Sequence, residues 1–344
     1  MNLKSVYGFI VILALPLSAS AANFVDLCSV NNPKNNHTRE VLARVLEVAS
    51  GDCAELYQKS KSVTELNISF EDITDLSMLE GFGELESLTI NGVRTTNLAP
   101  VAKLHQLKEL SIVSKSISDL SAIAALTNLE KLTIDSVRVD NLNFLKPLKK
   151  LRTFKYDSAG LVKNIDGLLG LTELTELNFV GYTGANLTDI KKLTKLKELG
   201  LGSPVITNLA FVENMQELER LIIKGKDVDI SAVSKVPGLL FLHIEHSGVK
   251  DISALKGMLS LQEVYLGDNK ITDISALADL VDLTTLRISE NRIENFAPLK
   301  DLQQLSFLEA SSIHVKAGPE TCPKGEQVTP ELAKICKRVS ARSK

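Results

Sequence analysis

Tryptophan is absent from this 344-residue chain, and phenylalanine and tyrosine contribute only 11 and 5 residues. Leucine instead reaches 55, so the interior must be built from aliphatic side chains, a composition unusual for an enzyme core. Neither sign of charge is in excess. The 39 Lys and Arg stand against 42 Asp and Glu, a net of -3, which argues against a protein built to grip a phosphate backbone. Nucleic acid is therefore not an expected partner. The signatures of common catalytic sites are missing as well, with no G-x-S-x-G, H-E-x-x-H, P-loop or Rossmann glycine pattern. No segment is apolar over the ~20 residues that a membrane span requires.

What is present begins with a leader. Lys4 precedes an apolar run from Val6 to Leu17, and Ala19-Ser20-Ala21 supplies the small-residue pattern of a secretory cleavage site. Residues 1–21 are expected to be removed, without a following Cys to take a lipid. Removal takes away only Lys4 among charged residues and leaves 38 basic against 42 acidic, a net of -4. An exported chain, periplasmic or secreted, can keep disulfides. The four cysteines form two sequence-local pairs, Cys28 with Cys53 and Cys322 with Cys336, although three connectivities are possible. Neither pair has C-x-x-C spacing or the nearby histidines of a zinc site, so two structural bridges are expected and no metal.

The middle of the chain is periodic. The pattern L-x-x-L-x-[LI] starts at Val63, Leu85, Leu107, Leu129, Leu151, Leu174, Leu196, Leu218, Leu239, Leu261, Leu283 and Leu305. Nine of the eleven intervals are 22 residues, one is 23 and one is 21, so single-residue changes are absorbed in loops. The fourth position of each repeat is apolar throughout, and the sixth is apolar from Ile68 until Ala310. Alternate residues of a short strand therefore face one buried side. A repeat array grows along one axis, so the length prior for domain number does not apply.

The stretch LQEVYLGDNKITDISALADLVDLTTLRISENRIENFAPL, Leu261 to Leu299, resembles the 22-residue leucine-rich repeats of bacterial internalins, and the likeness extends from about Val63 to Ala310. The resemblance implies an α/β fold: a leucine-rich repeat solenoid forming a curved right-handed superhelix. A parallel β-sheet would line its concave side, short 3₁₀ turns its convex side, and partners would be recognised by the concave face. One departure is clear. Internalin-like repeats usually carry Asn at the ninth position, but only Asn269 and Asn291 keep it here. The others are Glu71, Val93, Lys115, Val137, Ala159, Tyr182, Pro204, Lys226, Ser247 and Ile313. A second ladder is nearly complete, with Asp or Asn before each convex turn at 75, 97, 119, 141, 164, 186, 208, 229, 251, 273 and 295. Asp and Asn interchange there and no loop has dense D-x-D spacing, so these residues are expected to cap turns and not to bind calcium.

A stacked array needs covers at both ends. Thr38 is positioned to cap a helix carrying Val41, Leu42, Val45 and Leu46, and Thr329 with Pro330 to open a second one through Cys336. The expected organisation is a signal peptide over 1–21, an N-terminal helical cap over 22–62, the array over 63–314, and a C-terminal cap with basic tail over 315–344. Strands stack at ~4.8 Å, so the two ends of the array lie on the order of 50 Å apart, whereas bridged Cα atoms lie within ~7 Å. Only local cysteine pairing fits that length.

The third, fifth and seventh positions of each repeat project from the concave side. Their fifth-position column is small and polar at first (Asn67, Thr89, Ser111, Thr133) and bulky later: Ile222, His243, Tyr265, Arg287. Phe241 and Phe307 in the third column, with Arg220 and Lys224 beside them, make the same end the candidate binding surface. Aromatic and Arg side chains on a rigid sheet are what protein interfaces use as anchors, although scattered exposed apolar residues are ordinary. His243-Ile244-Glu245-His246 offers two candidate metal ligands on one face, too few for a site. The function expected is a non-enzymatic, cofactor-free, monomeric protein that binds a protein or glycan in adhesion, host contact or envelope scaffolding. Two rivals are an intracellular phosphatase-regulator-like repeat scaffold and a hydrolase or lyase using Glu65, Glu109, Glu176, Glu198 and Glu263. Sequons at Asn36, Asn67 and Asn186 would matter only in a eukaryotic secretory route.

Overall fold

A computed structural model describes residues 19–29, 36–49, 52–69, 73–184, 187–293 and 295–311, with 330, 333, 334, 336 and 337 near the C-terminus. Twelve strands form one parallel sheet in sequence order. They are β1 Glu65–Ser69, β2 Ser87–Asn91, β3 Glu109–Val113, β4 Lys131–Asp135, β5 Thr153–Val162, β6 Glu176–Tyr182, β7 Glu198–Gly202, β8 Arg220–Lys224, β9 Phe241–His243, β10 Glu263–Tyr265, β11 Thr285–Arg287 and β12 Phe307–Glu309. The register advances by one repeat per strand, so the fourth-position column stacks on itself from Leu66 against Leu88 to Leu286 against Leu308. A parallel ladder of this kind needs a crossover between strands. Here each crossover is a loop with a short turn, 3₁₀ in ten of the described repeats, for example Ser121–Ala125 and Ser275–Leu277. The leucine columns fill the space between sheet and turns as one continuous core.

The acidic and amide ladder caps these turns. Asp75, Asp119, Asp251 and Asp273 each accept the backbone N–H two residues on, from Ser77, Ser121, Ser253 and Ser275, at 2.7 to 2.8 Å. Asn97, Asn141, Asn164, Asn208, Asp229 and Asn295 do the same for their own turns. Asn186 lies outside the described residues. The capping oxygen comes from the residue before the formal N-cap, which is an apolar core residue such as Leu120 or Ile274. The turn-facing hydrogen bond holds the Asp119 and Asp251 carboxyls below the usual carboxylate range. We expect Asp273→Asn to be near neutral in a thermal melt and Asp273→Ala to lose about 1 kcal/mol, the usual cost of a missing cap. Because a lowered folded-state pKa adds stability above the unfolded value and loses it as pH falls, Asp119→Asn with Asp251→Asn should flatten the acid limb below about pH 4. A calcium-dependent melt abolished by Asp273→Asn would contradict the capping role.

At three repeats without the ninth-position asparagine, the ninth-position carbonyl accepts from a hydroxyl of the next repeat. Ser114 Oγ donates to the Val93 carbonyl at 3.2 Å, Tyr156 Oη to that of Val137 at 2.8 Å, and Ser203 Oγ to that of Tyr182 at 2.7 Å. These bonds satisfy the carbonyls of Val93, Val137 and Tyr182 themselves, whose side chains are buried, whereas the Asn269 amide reaches the sixth- and seventh-position carbonyls of Ile244, Leu266 and Gly267. Where Asn269 and Asn291 remain, the preceding residue adopts positive φ, +48° at Asp268 and +56° at Glu290, and the strands shorten to three residues. The 23-residue repeat appears as a register shift between β5 and β6 at Asp157/Val162. It is filled by a stacked row of Phe154, Tyr156, Phe179 and Tyr182.

Three helices precede the sheet: α1 Ala19–Cys28, α2 Asn36–Val45 and α3 Cys53–Ser60. Cys28 is bridged to Cys53, tying α1 to the start of α3. Thr38 does not cap a helix. The helix starts two residues earlier, and the buried Thr38 hydroxyl donates to the Asp75 carbonyl at 2.7 Å, docking the cap on the first repeat. Cys336 is disulfide-bonded and packs against the core with Ala310; Cys322 lies outside the described residues, as do most of 1–21 and 315–344. Among the described residues no helix is long and apolar enough to cross a membrane.

Candidate functional site: the concave face of the last five repeats

Strands β8 to β12 bring the sequence-singled residues together. The Arg220 guanidinium lies 3.9 Å above the Phe241 ring, Phe241 packs on Tyr265 at 5.2 Å, and Arg287 sits between Tyr265 at 5.1 Å and Phe307 at 5.4 Å. One side chain from each of five consecutive strands thus joins a continuous stack of cation and ring. Cation-π contacts of this kind add attraction where the ring face is partly desolvated. Both guanidiniums are also fixed from the side, Nε of Arg220 by Glu198 and Nε of Arg287 by Glu309, each at 3.4 Å. These carboxylates stand directly opposite their arginines in the register of adjacent strands.

His243 lies beside the stack, 5.4 Å from Tyr265 and 6.3 Å from Phe241, with Nε2 at 3.0 Å from Glu245. Tyr265 donates its hydroxyl to Glu263 at 2.8 Å. Burial, reinforced by that bond and by the Glu263 charge, pushes the Tyr265 hydroxyl above its ordinary range, so it stays a neutral donor and is poorly suited to act as a base. Exposure differs along the row. Phe241 is only 9% exposed, roofed by Arg220, whereas Phe307 is 44% exposed and Arg287 is open to solvent. Ile222 is half-buried and Lys224 exposed on β8, and beside them β7 presents only Gly200 and Gly202 at the matching positions. His246 follows the strand at φ +52° and bonds Asp268 at 2.5 Å across the rim, away from His243.

The Leucine Rich repeats (2 copies) family model matches residues 259–301. No curated protein is similar to the chain in sequence. Among solved structures, an internalin (inlF) from Listeria monocytogenes superposes with a TM-score of 0.75 at 25% identity, over 84% of this chain and 86% of that one. The functional domain of InlJ from Listeria monocytogenes, which includes a cysteine ladder, superposes with a TM-score of 0.56 at 16% identity, over 84% and 71%. The chain carries an internalin-like leucine-rich repeat array.

Such arrays use the small rotation between repeats to present an extended concave surface. In this internalin-like array, four carboxylates of that surface are engaged in ion pairs with the next or preceding strand: Glu109 with Lys131, Glu176 with Lys155, Glu198 with Arg220 and Glu309 with Arg287. Three of the five acids considered for catalysis are therefore ion-paired, and a fourth, Glu263, accepts from Tyr265. Among the described residues no group of three or more His, Cys, Asp or Glu side chains is placed to hold a metal ion. Column chemistry alone singled out the aromatic and basic residues. It missed their partners Glu198 and Glu309, although opposite charges at matching repeat positions were readable as neighbours.

Proposed function

We propose that the protein is an exported, non-enzymatic binding protein that recognises a protein partner through the stacked row Arg220, Phe241, Tyr265, Arg287 and Phe307. Adhesion, host contact and envelope scaffolding all use such a surface. The carrying observation is the row itself: aromatic and Arg side chains held by rings below and carboxylates beside them lose little rotamer freedom when a partner docks. Export is supported by the leader pattern and by the Cys28–Cys53 bridge, which persists in oxidising compartments. The test is capture of partners on the immobilised mature protein. Tyr265→Ala with Phe307→Ala should weaken capture of the native partner at least tenfold, since truncating an aromatic anchor commonly costs ~2 kcal/mol or more. Thr89→Ala with Thr133→Ala, in the polar strands, should change little. The opposite result would move recognition to the N-terminal strands or the convex side. Phe241→Ala is expected to act indirectly, by letting Arg220 collapse.

A further inference from the structure

We propose that the partner met by the concave face is a basic polypeptide surface, drawn in by an excess of negative charge confined to that face. The inference rests on the concave face being the recognition surface. The 36 concave column positions of the twelve repeats hold nine acidic and five basic residues, leaving 34 basic against 33 acidic in the rest of the chain. The chain's net negative charge is therefore carried by the concave columns, and the rest of the sequence is balanced. Position along the sheet decides what this charge can do.

Four of the five basic residues are consumed by the ion pairs already described, and those pairs also use four of the nine acids. The acids that remain are Glu65, Asp135, Asp157, Glu245 and Glu263, facing Lys224 as the one basic residue of the columns without an ion-pair partner among the described residues. Among the described residues, Glu245 bonds His243 and Glu263 accepts from the Tyr265 hydroxyl, with no Lys or Arg at either. Asp135 and Asp157 stand opposite each other in the β4 and β5 register, lining with Ser136 and Ser158 an open depression of about 500 Å³. Lys115 and Arg138 also border this depression, outside the columns and beyond ion-pair distance. A concave surface with an excess of one sign of charge biases its field toward that sign and raises the on-rate of a partner of opposite sign. The arginines do not oppose this, because each is paired with its own glutamate and held over a ring. Aromatic contact then holds the C-terminal strands to the partner, while Glu65, Asp135, Asp157, Glu245 and Glu263, which have no Lys or Arg partner among the described residues, receive its lysines and arginines.

Two fluorescein-labelled 12-residue peptides test the charge preference on the mature protein: alternating Lys-Ser and alternating Glu-Ser, followed by anisotropy at 20 and 200 mM NaCl. The Lys-Ser peptide should bind more tightly than its acidic counterpart and weaken at the higher salt, where the Debye length is shorter than about 10 Å. A concave variant with Glu65→Gln, Asp135→Asn, Asp157→Asn and Glu263→Gln should bind it at least fivefold more weakly. A variant with the same loss of charge elsewhere, Glu213→Gln, Glu217→Gln, Asp279→Asn and Asp282→Asn, should stay within twofold. Matching melting transitions exclude misfolding in both. Equal weakening by the two variants, or tighter binding of the Glu-Ser peptide, overturns the inference. If Tyr265→Ala with Phe307→Ala abolishes capture of the native partner while the concave charge variant captures it normally, the concave reading stands and the basic-partner inference falls.

Discussion

Asn291→Ala should destabilise the C-terminal repeats by about 3 kcal/mol, because two backbone groups have no other partner among the described residues and two more share it. Asn291 is 1% exposed. Its Nδ2 donates to the carbonyls of Leu266, Ile288 and Ser289 at 2.8, 3.0 and 3.2 Å, and its Oδ1 accepts from the Ile271 N–H at 3.0 Å. Alanine would leave the Ile288 carbonyl and the Ile271 N–H unsatisfied in a site walled by leucine columns, while the Leu266 and Ser289 carbonyls keep the Asn269 amide and the Asp268 N–H, and an unsatisfied buried polar group costs about 1 to 3 kcal/mol before relaxation. Ser114→Ala removes one bond to the Val93 carbonyl and one from the part-buried Ser116 N–H, and should cost about 1 kcal/mol. Repeat arrays are stabilised by nearest neighbours, so the loss should be local. Hydrogen exchange of β10 to β12 should accelerate in Asn291→Ala while β2 to β4 stay protected. A urea midpoint for Asn291→Ala equal to that of Ser114→Ala would show that the asparagine ladder is dispensable.

Replacing Cys28 and Cys53 with serine should remove about 3.5 kcal/mol, the chain-entropy value for a bridge closing 25 residues. The effect should again be local. The bridge holds α1 where Phe24, 2% exposed, packs on Tyr57 and against Gly81, a glycine whose position a Cβ could not share with the Phe24 ring. Without the tether the cap should open first and uncover the apolar end of the array at Leu66 and Ile68. A melt in which a low-temperature step appears, with dye binding to newly exposed apolar surface, is the expected record. A single unshifted transition would mean that packing alone holds the cap. Peptide mapping without reduction should also return Cys28 with Cys53 and Cys322 with Cys336, and a Cys28 to Cys336 link would be incompatible with an extended array.

The architecture was legible in the sequence because the repeat is long, nearly invariant in period and written in one residue type. Twelve copies of the same apolar spacing can bury their columns in only one way, by stacking in register, and the observed pairing follows the aligned starts strand by strand. The turn-capping role of the Asp and Asn row was equally readable, since an acceptor at a fixed distance from a tight turn has one nearby unsatisfied N–H to serve. The sequence could not say how the loops are bonded at positions that lack the asparagine. Three of these positions have their own carbonyls reached across repeats by Ser114, Tyr156 and Ser203, and which hydroxyl reaches which carbonyl depends on the offset between neighbouring loops. Thr38 shows the same limit: a good capping residue in a helical pattern is claimed by the Asp75 carbonyl, 37 positions away. At the candidate site the columns identified which residues share a face. Only the tertiary structure decided that Phe241 lies under Arg220 while Phe307 stays open, because exposure depends on how long side chains fold over their neighbours, a choice made between strands and not within one.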